Sequence, residues 1–200
     1  MLSKDFFERD PVTCARELIG CTLVHKGCSG IVIETEAYAE SGDEACHLFT
    51  RPSARDFAAA HPAGTAYVYL NYGIHWLTNV LCHDPATGNA GFVLLRALEP
   101  TAGIEEMKER RNKDKLHALC SGPGKLSQAL GIGPDHHGRS LCAGEEFVFT
   151  AGSVDYEIVS DPRIGISKAK ELPWRFLLRE HPGVSVPPQR QSRNMQKKQK

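Results

Sequence analysis

Two runs of strand-forming residues, Tyr67 to Leu70 and Trp76 to Cys82, flank the turn signal Asn71-Tyr72-Gly73. Apolar, aromatic and β-branched residues on either side of so short a polar turn predict an antiparallel hairpin. Tyr67 and Tyr69 share one face of it. Tyr72 falls at the turn, where a core role is least natural. A second hairpin is predicted where residues 21–26 and 30–38 meet around Lys26-Gly27. Phe92 to Leu98 reads as the most apolar strand, with Phe147 to Thr150 and Tyr156 to Val159 as further strands. Helices are expected after Asp10-Pro11, where Asp10 can cap and Gly20 can terminate, after Pro100-Thr101, and over Lys125 to Leu130. Residues 40–64, polar and carrying Pro52 and Pro62, read as one long loop. Strands that pair mostly with sequence neighbours, interrupted by helices, predict an α+β fold around a curved, mostly antiparallel sheet.

Two hundred residues, 41% of them hydrophobic, suffice for one domain with a real core. That domain is expected over residues 1–186, with a disordered basic tail at 187–200. No apolar stretch is long enough to span a bilayer, and the first ten residues hold no signal core, so a soluble intracellular protein is expected. Seven cysteines, odd in number, widely spaced and without a C-x-x-C pair, argue against a disulfide framework or a zinc ribbon. The formal net charge is zero. Residues 184–200 hold five of the 24 basic residues and none of the 24 acidic ones, so the body before them carries −5. Charge alone does not suggest a nucleic-acid partner; a basic face would have to be local.

Glu34-Thr35-Glu36-Ala37-Tyr38 places Glu34, Glu36 and Tyr38 on one strand face, with Thr35 and Ala37 on the other. Such a pair of carboxylates can share acid–base work, or can be a solvated strand edge. Arg96, inside Leu94-Leu95-Arg96-Ala97-Leu98, must find an anion or a polar pocket, because an isolated buried charge is costly. Gly122-Pro123-Gly124-Lys125 lacks Walker spacing; it is either a simple turn or a helix start whose Lys125 meets a phosphate. Asp43-Glu44-Ala45-Cys46-His47 and Asp135-His136-His137 have no clean metal-ligand spacing, and no metal is expected.

Taken in order, these segments resemble the alkyladenine (3-methyladenine) DNA glycosylase family. The resemblance runs through residues 33–38, Asp43 to His47, Gly64 to Gly73, Asn79, Val93 to Pro100, Cys120 to Leu126, Arg163-Ile164-Gly165-Ile166 and Trp174-Arg175-Phe176. It implies a single α+β domain with a protruding hairpin that enters the DNA minor groove. It implies hydrolysis of the N-glycosidic bond of alkylated or deaminated purines by base flipping, with no metal or other cofactor, leaving an abasic site. Glu36 would be the general base, and Arg96 would help hold the attacking water and the target nucleotide's backbone. Tyr38 would stack on one side of the flipped base, with His47 and Tyr69 on the other. Asn79 would screen base edges, Ile164 would lend a backbone carbonyl to the water, and Tyr72 would fill the hole left in the duplex. Lys125 and Arg55 are candidate DNA-backbone contacts. The implied partner is double-stranded DNA carrying a damaged purine, bound by a monomer in the cytoplasm, nucleoid or nucleus, with no membrane involved.

The sequence departs from the family after His47. Ser53-Ala54-Arg55-Asp56 replaces a usual Thr-Pro-Arg-Asn run, and Ala59-Ala60 replaces Met-Phe, so the segment is expected to lack its packing pair. Two readings compete with excision: a non-catalytic lesion-binding module, and a sugar or nucleoside hydrolase using Glu34 and Glu36. The water-activating Glu36 and Arg96 disfavour the first, and the tyrosine-tipped hairpin disfavours the second.

Overall fold

The structure is a computed structural model describing residues 1–152 and 157–189. Tyr156 and the basic residues of the tail, Arg190, Arg193, Lys197, Lys198 and Lys200, lie outside the described residues. The first helix, α1 (Pro11–Glu17), starts where Asp10 accepts hydrogen bonds from the Val12 and Thr13 amides at 3.0 and 2.9 Å. The strands β1 (Thr22–His25) and β2 (Cys28–Ala39) follow, joined through Lys26 and Gly27, both at positive φ. Next come α2 (His47–Thr50), α3 (Pro52–Ala60), β3 (Ala66–Asn71), β4 (His75–His83) and β5 (Ala90–Ala102). The chain continues through α4 (Ile104–Arg111), α5 (Leu116–Leu119), α6 (Pro123–Leu130), β6 (Phe147–Thr150), β7 (Ile158–Asp161) and β8 (Arg175–Leu178).

Every strand pairing is antiparallel, in the order β3-β4-β5-β2-β1-β6, with β8 also on β2 and β7 on β8. The sheet curls into a half-barrel, the α+β architecture expected. Its centre is β2, too long for one partner on each edge. The residues nearest Lys26-Gly27 pair with β1, while Glu34 to Glu36 pair with β8, and β5 runs along the opposite edge. The Glu34–Glu36 segment is therefore enclosed on both edges, and both glutamates are fully buried. That removes the solvated-edge reading.

Three register shifts interrupt the β2–β5 ladder, two of them beside the glutamates. Val32 faces Leu98, Glu34 faces Ala97 and Thr35 faces Leu95, so the register passes over Ile33 on one strand and Arg96 on the other. A bulge re-aims the extra side chain and bends its strand. Arg96 is thus turned toward the glutamates across the ladder. On the opposite face Thr35 binds the Ala15 carbonyl at 2.8 Å and anchors α1.

Residues 40–64 are not the loop that their prolines suggested. Pro52 occupies the first position of α3, where its missing N–H costs nothing. Ala54, Phe57 and Ala58, at helical spacing, are buried against Cys46, Leu48, Tyr67, Leu81 and Phe92 in a second core cluster. These residues supply the packing that Ala59 and Ala60, both exposed, do not. The helix expected from Pro100 starts later. Pro100 still pairs with Gly30, and α4 begins after Gly103, whose φ of +67° turns the chain out of the sheet.

His25 on β1 and His136, in a short 3-10 turn, form a buried pair with their Nε2 atoms 2.9 Å apart. His25 Nδ1 lies 2.7 Å from the Leu130 carbonyl and must donate to it, so in the neutral ring Nε2 accepts from His136. His136 Nδ1 then accepts from the Gly133 amide at 3.1 Å. Burial pushes both pKa values below the ordinary 6.5, which favours the neutral rings. The unfolded chain therefore takes up protons that the folded one refuses as pH falls below 6.5, and stability drops over that range. The melting temperature should be lower at pH 5.5 than at pH 7.5. A His25→Leu/His136→Phe variant should narrow the gap, and an unaltered gap would remove the pair as its source.

Candidate active site

One cavity of about 540 Å³ opens beside the curl of the sheet, lined by Tyr38, His47, Tyr69, Asn79, Arg96 and Ile164, with Tyr72 also on its lining. Residues from β2, α2, β3, β4, β5 and the segment after β7 converge there. Each base-pocket residue expected from sequence is in this set. Lys125 and Arg55 are not. Lys125 is exposed at the first turn of α6, and Arg55 donates to the Leu48 carbonyl at 2.9 Å, holding the end of α2.

Glu36 lies beneath the cavity wall with two hydrogen-bond donors and a guanidinium against its carboxylate. The Ile164 amide donates to Oε1 at 2.7 Å, the Tyr38 hydroxyl donates to Oε2 at 2.8 Å, and Arg96 Nη1 stands 3.2 Å from Oε2. A carboxylate offers about four acceptor sites, so the two hydrogen bonds and the ion pair leave at least one unfilled. Burial pushes the Glu36 pKa upward, and Arg96, the Ile164 amide and Tyr38 hold it back. Ile164 was expected to offer its carbonyl; here its amide is what meets the glutamate.

The aromatic and imidazole side chains of the cavity are uncharged at neutral pH, although Arg96 and Arg51 also line it. Burial keeps Tyr38 protonated and raises Tyr69 to about 12. His47 is lowered to about 4 by burial and by Arg51 nearby. Its ring meets Tyr69 edge-on, with centroids 4.6 Å apart. Asn79 donates its amide to the Tyr67 carbonyl at 3.1 Å, leaving its side-chain oxygen without a hydrogen bond among the described residues.

Tyr38 is fixed from behind. The Arg163 guanidinium lies 4.6 Å from its ring centroid and forms a two-point ion pair with Asp43 at 2.6 and 2.7 Å, both side chains fully buried. Arg163 also donates to the carbonyls of Ala37 at 2.8 Å and Ala169 at 3.2 Å. The sequence offers Asp43 as a metal ligand or a loop residue, and it places Arg163 in a stretch that carries the resemblance without giving it a role. Nothing local could reveal a pair 120 residues apart.

The hairpin tip is a tight turn in which the Ile74 amide donates to the Asn71 carbonyl at 3.0 Å. Tyr72 and Gly73 sit at φ 50° and 70°. Tyr72 is 87% exposed and Ile74 72%.

The sequence matches the family model described as methylpurine-DNA glycosylase (MPG) over residues 5–182. The chain belongs to the methylpurine-DNA glycosylase family. It is thereby a hydrolytic DNA glycosylase. A relative from Rhodopseudomonas palustris (strain HaA2), named "Putative 3-methyladenine DNA glycosylase", is 47% identical over 93% of this chain and 90% of its own length. Proteins of the same name from Bradyrhizobium diazoefficiens and Chlorobaculum tepidum are 43% and 42% identical, over 93% and 92% of this chain and 91% and 90% of theirs. Among the described residues of this methylpurine-DNA glycosylase family member, no helix is long and apolar enough to cross a membrane. All seven cysteines are free thiols, six of them buried.

Proposed function

We propose that this protein excises alkylated or deaminated purines from double-stranded DNA as a monomer without a cofactor, 3-methyladenine among them as in the relatives' names. The observation that carries the reading is the buried, pKa-raised Glu36 directly behind an aromatic cavity, with at least one acceptor site to spare. A base must leave the duplex before C1′ can be attacked, and damaged bases leave most cheaply. Tyr38 on one side and His47 with Tyr69 on the other would hold it, stacking being worth about 1–3 kcal/mol per base. A cationic alkylated purine gains further from the π faces, and neutral His47 adds no repulsion. Glu36 then takes a proton from water as the oxygen bonds to C1′ and the base departs with the electrons of the C1′–N bond. Arg96 keeps the carboxylate ionised and helps hold the water and the nucleotide's backbone. Asn79 offers its free oxygen to base edges, and Lys125 and Arg55 are the outlying backbone contacts.

The test is single-turnover excision on labelled duplexes bearing one hypoxanthine or 1,N6-ethenoadenine, read after alkaline cleavage, beside release of 3-methyladenine from methylated DNA. Excision of at least one supports the reading. Lesion-specific binding without any release would favour a damage-binding module instead.

In this reading Tyr72 is the wedge that replaces the extruded nucleotide. A side chain in the left-handed region costs roughly 1–2 kcal/mol, a cost that glycine escapes. Tyr72→Gly should therefore raise the melting temperature while weakening lesion-duplex affinity about tenfold or more, measured by anisotropy. Affinity equal to that of the parent would remove the wedge role.

A further inference from the structure

The second buried glutamate has no part in the mechanism above, yet its carboxylate accepts four hydrogen bonds. Glu34 Oε1 receives Arg96 Nε at 3.1 Å, Arg175 Nη1 at 3.0 Å and the Ser185 hydroxyl at 2.8 Å, and Oε2 receives the Ser185 amide at 2.6 Å. Ser185 belongs to a C-terminal strap that crosses the back of the site. Arg175 Nη1 donates to the Val186 carbonyl at 2.9 Å, Arg175 pairs with Asp161, and the Gln189 amide reaches Asp161 at 3.3 Å. The family match ends at residue 182, so this strap lies beyond it.

Arg96 has three nitrogens and spends each on a different partner: Nε on Glu34, Nη1 on Glu36 and Nη2 on the Ser185 hydroxyl at 3.0 Å. The single hydroxyl proton of Ser185 goes to Glu34 while its oxygen accepts from Arg96, so all three groups close a ring of compatible donors and acceptors. A guanidinium held at three corners has one orientation. We propose that Ser185 is a positioning residue that, with Glu34, sets the plane of Arg96 so that one nitrogen serves Glu36. This rests on the proposed role of Glu36 as base.

Without the hydroxyl, Arg96 loses one anchor and Glu34 loses one donor, and the guanidinium is free to tilt toward Glu34. Glu36 would then feel less of the positive charge that opposes its burial. The groups facing Glu36 are Glu34 and Tyr38 from β2, Arg96 from β5, Arg163 with the Ile164 amide, and Tyr69 from β3, while Arg175, its register partner on β8, is paired with Glu34. Only Arg96 among them contacts the Ser185 side chain directly apart from Glu34.

The experiment measures single-turnover excision against pH for the parent, Ser185→Ala and Ser185→Thr, on whichever lesion the parent removes fastest. Ser185→Ala is expected to lower the plateau rate on the order of tenfold. It should also move the acid limb to higher pH, with lesion affinity kept and Ser185→Thr restoring both. An unchanged rate and limb in Ser185→Ala would overturn the proposal. So would a slower rate with an unmoved limb that threonine does not rescue, because that is a merely structural loss. A parent that excises nothing would instead defeat the reading of Glu36 itself.

Discussion

Glu36→Gln should lower single-turnover excision by roughly 10²–10⁴-fold, the usual worth of a positioned general base, while affinity for a lesion duplex stays close to that of the parent. Glutamine keeps the shape and the length of the side chain but cannot take a proton from water. Its fit is imperfect in a way the geometry defines. Tyr38 and Arg96 both converge on Oε2, and the Ile164 amide meets Oε1. A carboxamide that turns its oxygen to the first two puts its NH₂ against the third, so the segment carrying Ile164 has to shift. Excision at the parental rate would remove Glu36 as the base. Loss of lesion affinity equal to the loss of rate would show that the carboxylate shapes the pocket instead of acting in it.

Arg163→Leu should cost about 3–5 kcal/mol in unfolding free energy, measured by urea titration. The substitution leaves Asp43 buried with its partner gone, and it takes a cation from behind both Tyr38 and Trp174, whose rings lie 4.6 and 5.4 Å from the guanidinium. Removing both charges together, as Asp43→Leu/Arg163→Leu, should recover a large part of that stability, since no unpaired charge remains. Excision should not recover with it, because Tyr38 loses its backing and the residue before Ile164 loses its anchors on Ala37 and Ala169. A single substitution costing under about 1 kcal/mol would mean that Asp43 finds another partner or water.

Strand alternation was enough to put Glu34, Glu36 and Tyr38 on one face, and the turn signal was enough to put Tyr72 at a tip. These are local properties, and local patterns carry them. Arg96 was legible as a charge in need of an anion, but not that a bulge turns it, because the two extra residues are visible only when both strands are paired. Residues 40–64 misled for a related reason. Proline ends a helix or begins one, and the buried face of α3 finds its partners on β3, β4 and β5, far along the chain. Asp43–Arg163 and Glu34–Ser185 join positions more than a hundred residues apart. No composition or spacing rule reaches that far; the resemblance marked the stretches that hold Asp43 and Arg163 without saying that they meet.

The hairpin tip has a consequence for anyone who would improve this protein. Its turn is one for which Asn-Gly is the strongest sequence, yet the chain carries Tyr72-Gly73 with the tyrosine held at φ 50° and almost wholly in solvent. A stability screen, a turn-propensity score or a solubility filter would each nominate that tyrosine first for replacement. Under the role proposed for it, the three would agree on the substitution that most directly separates a well-folded protein from a working one, and rising thermostability would serve as a warning of lost DNA engagement.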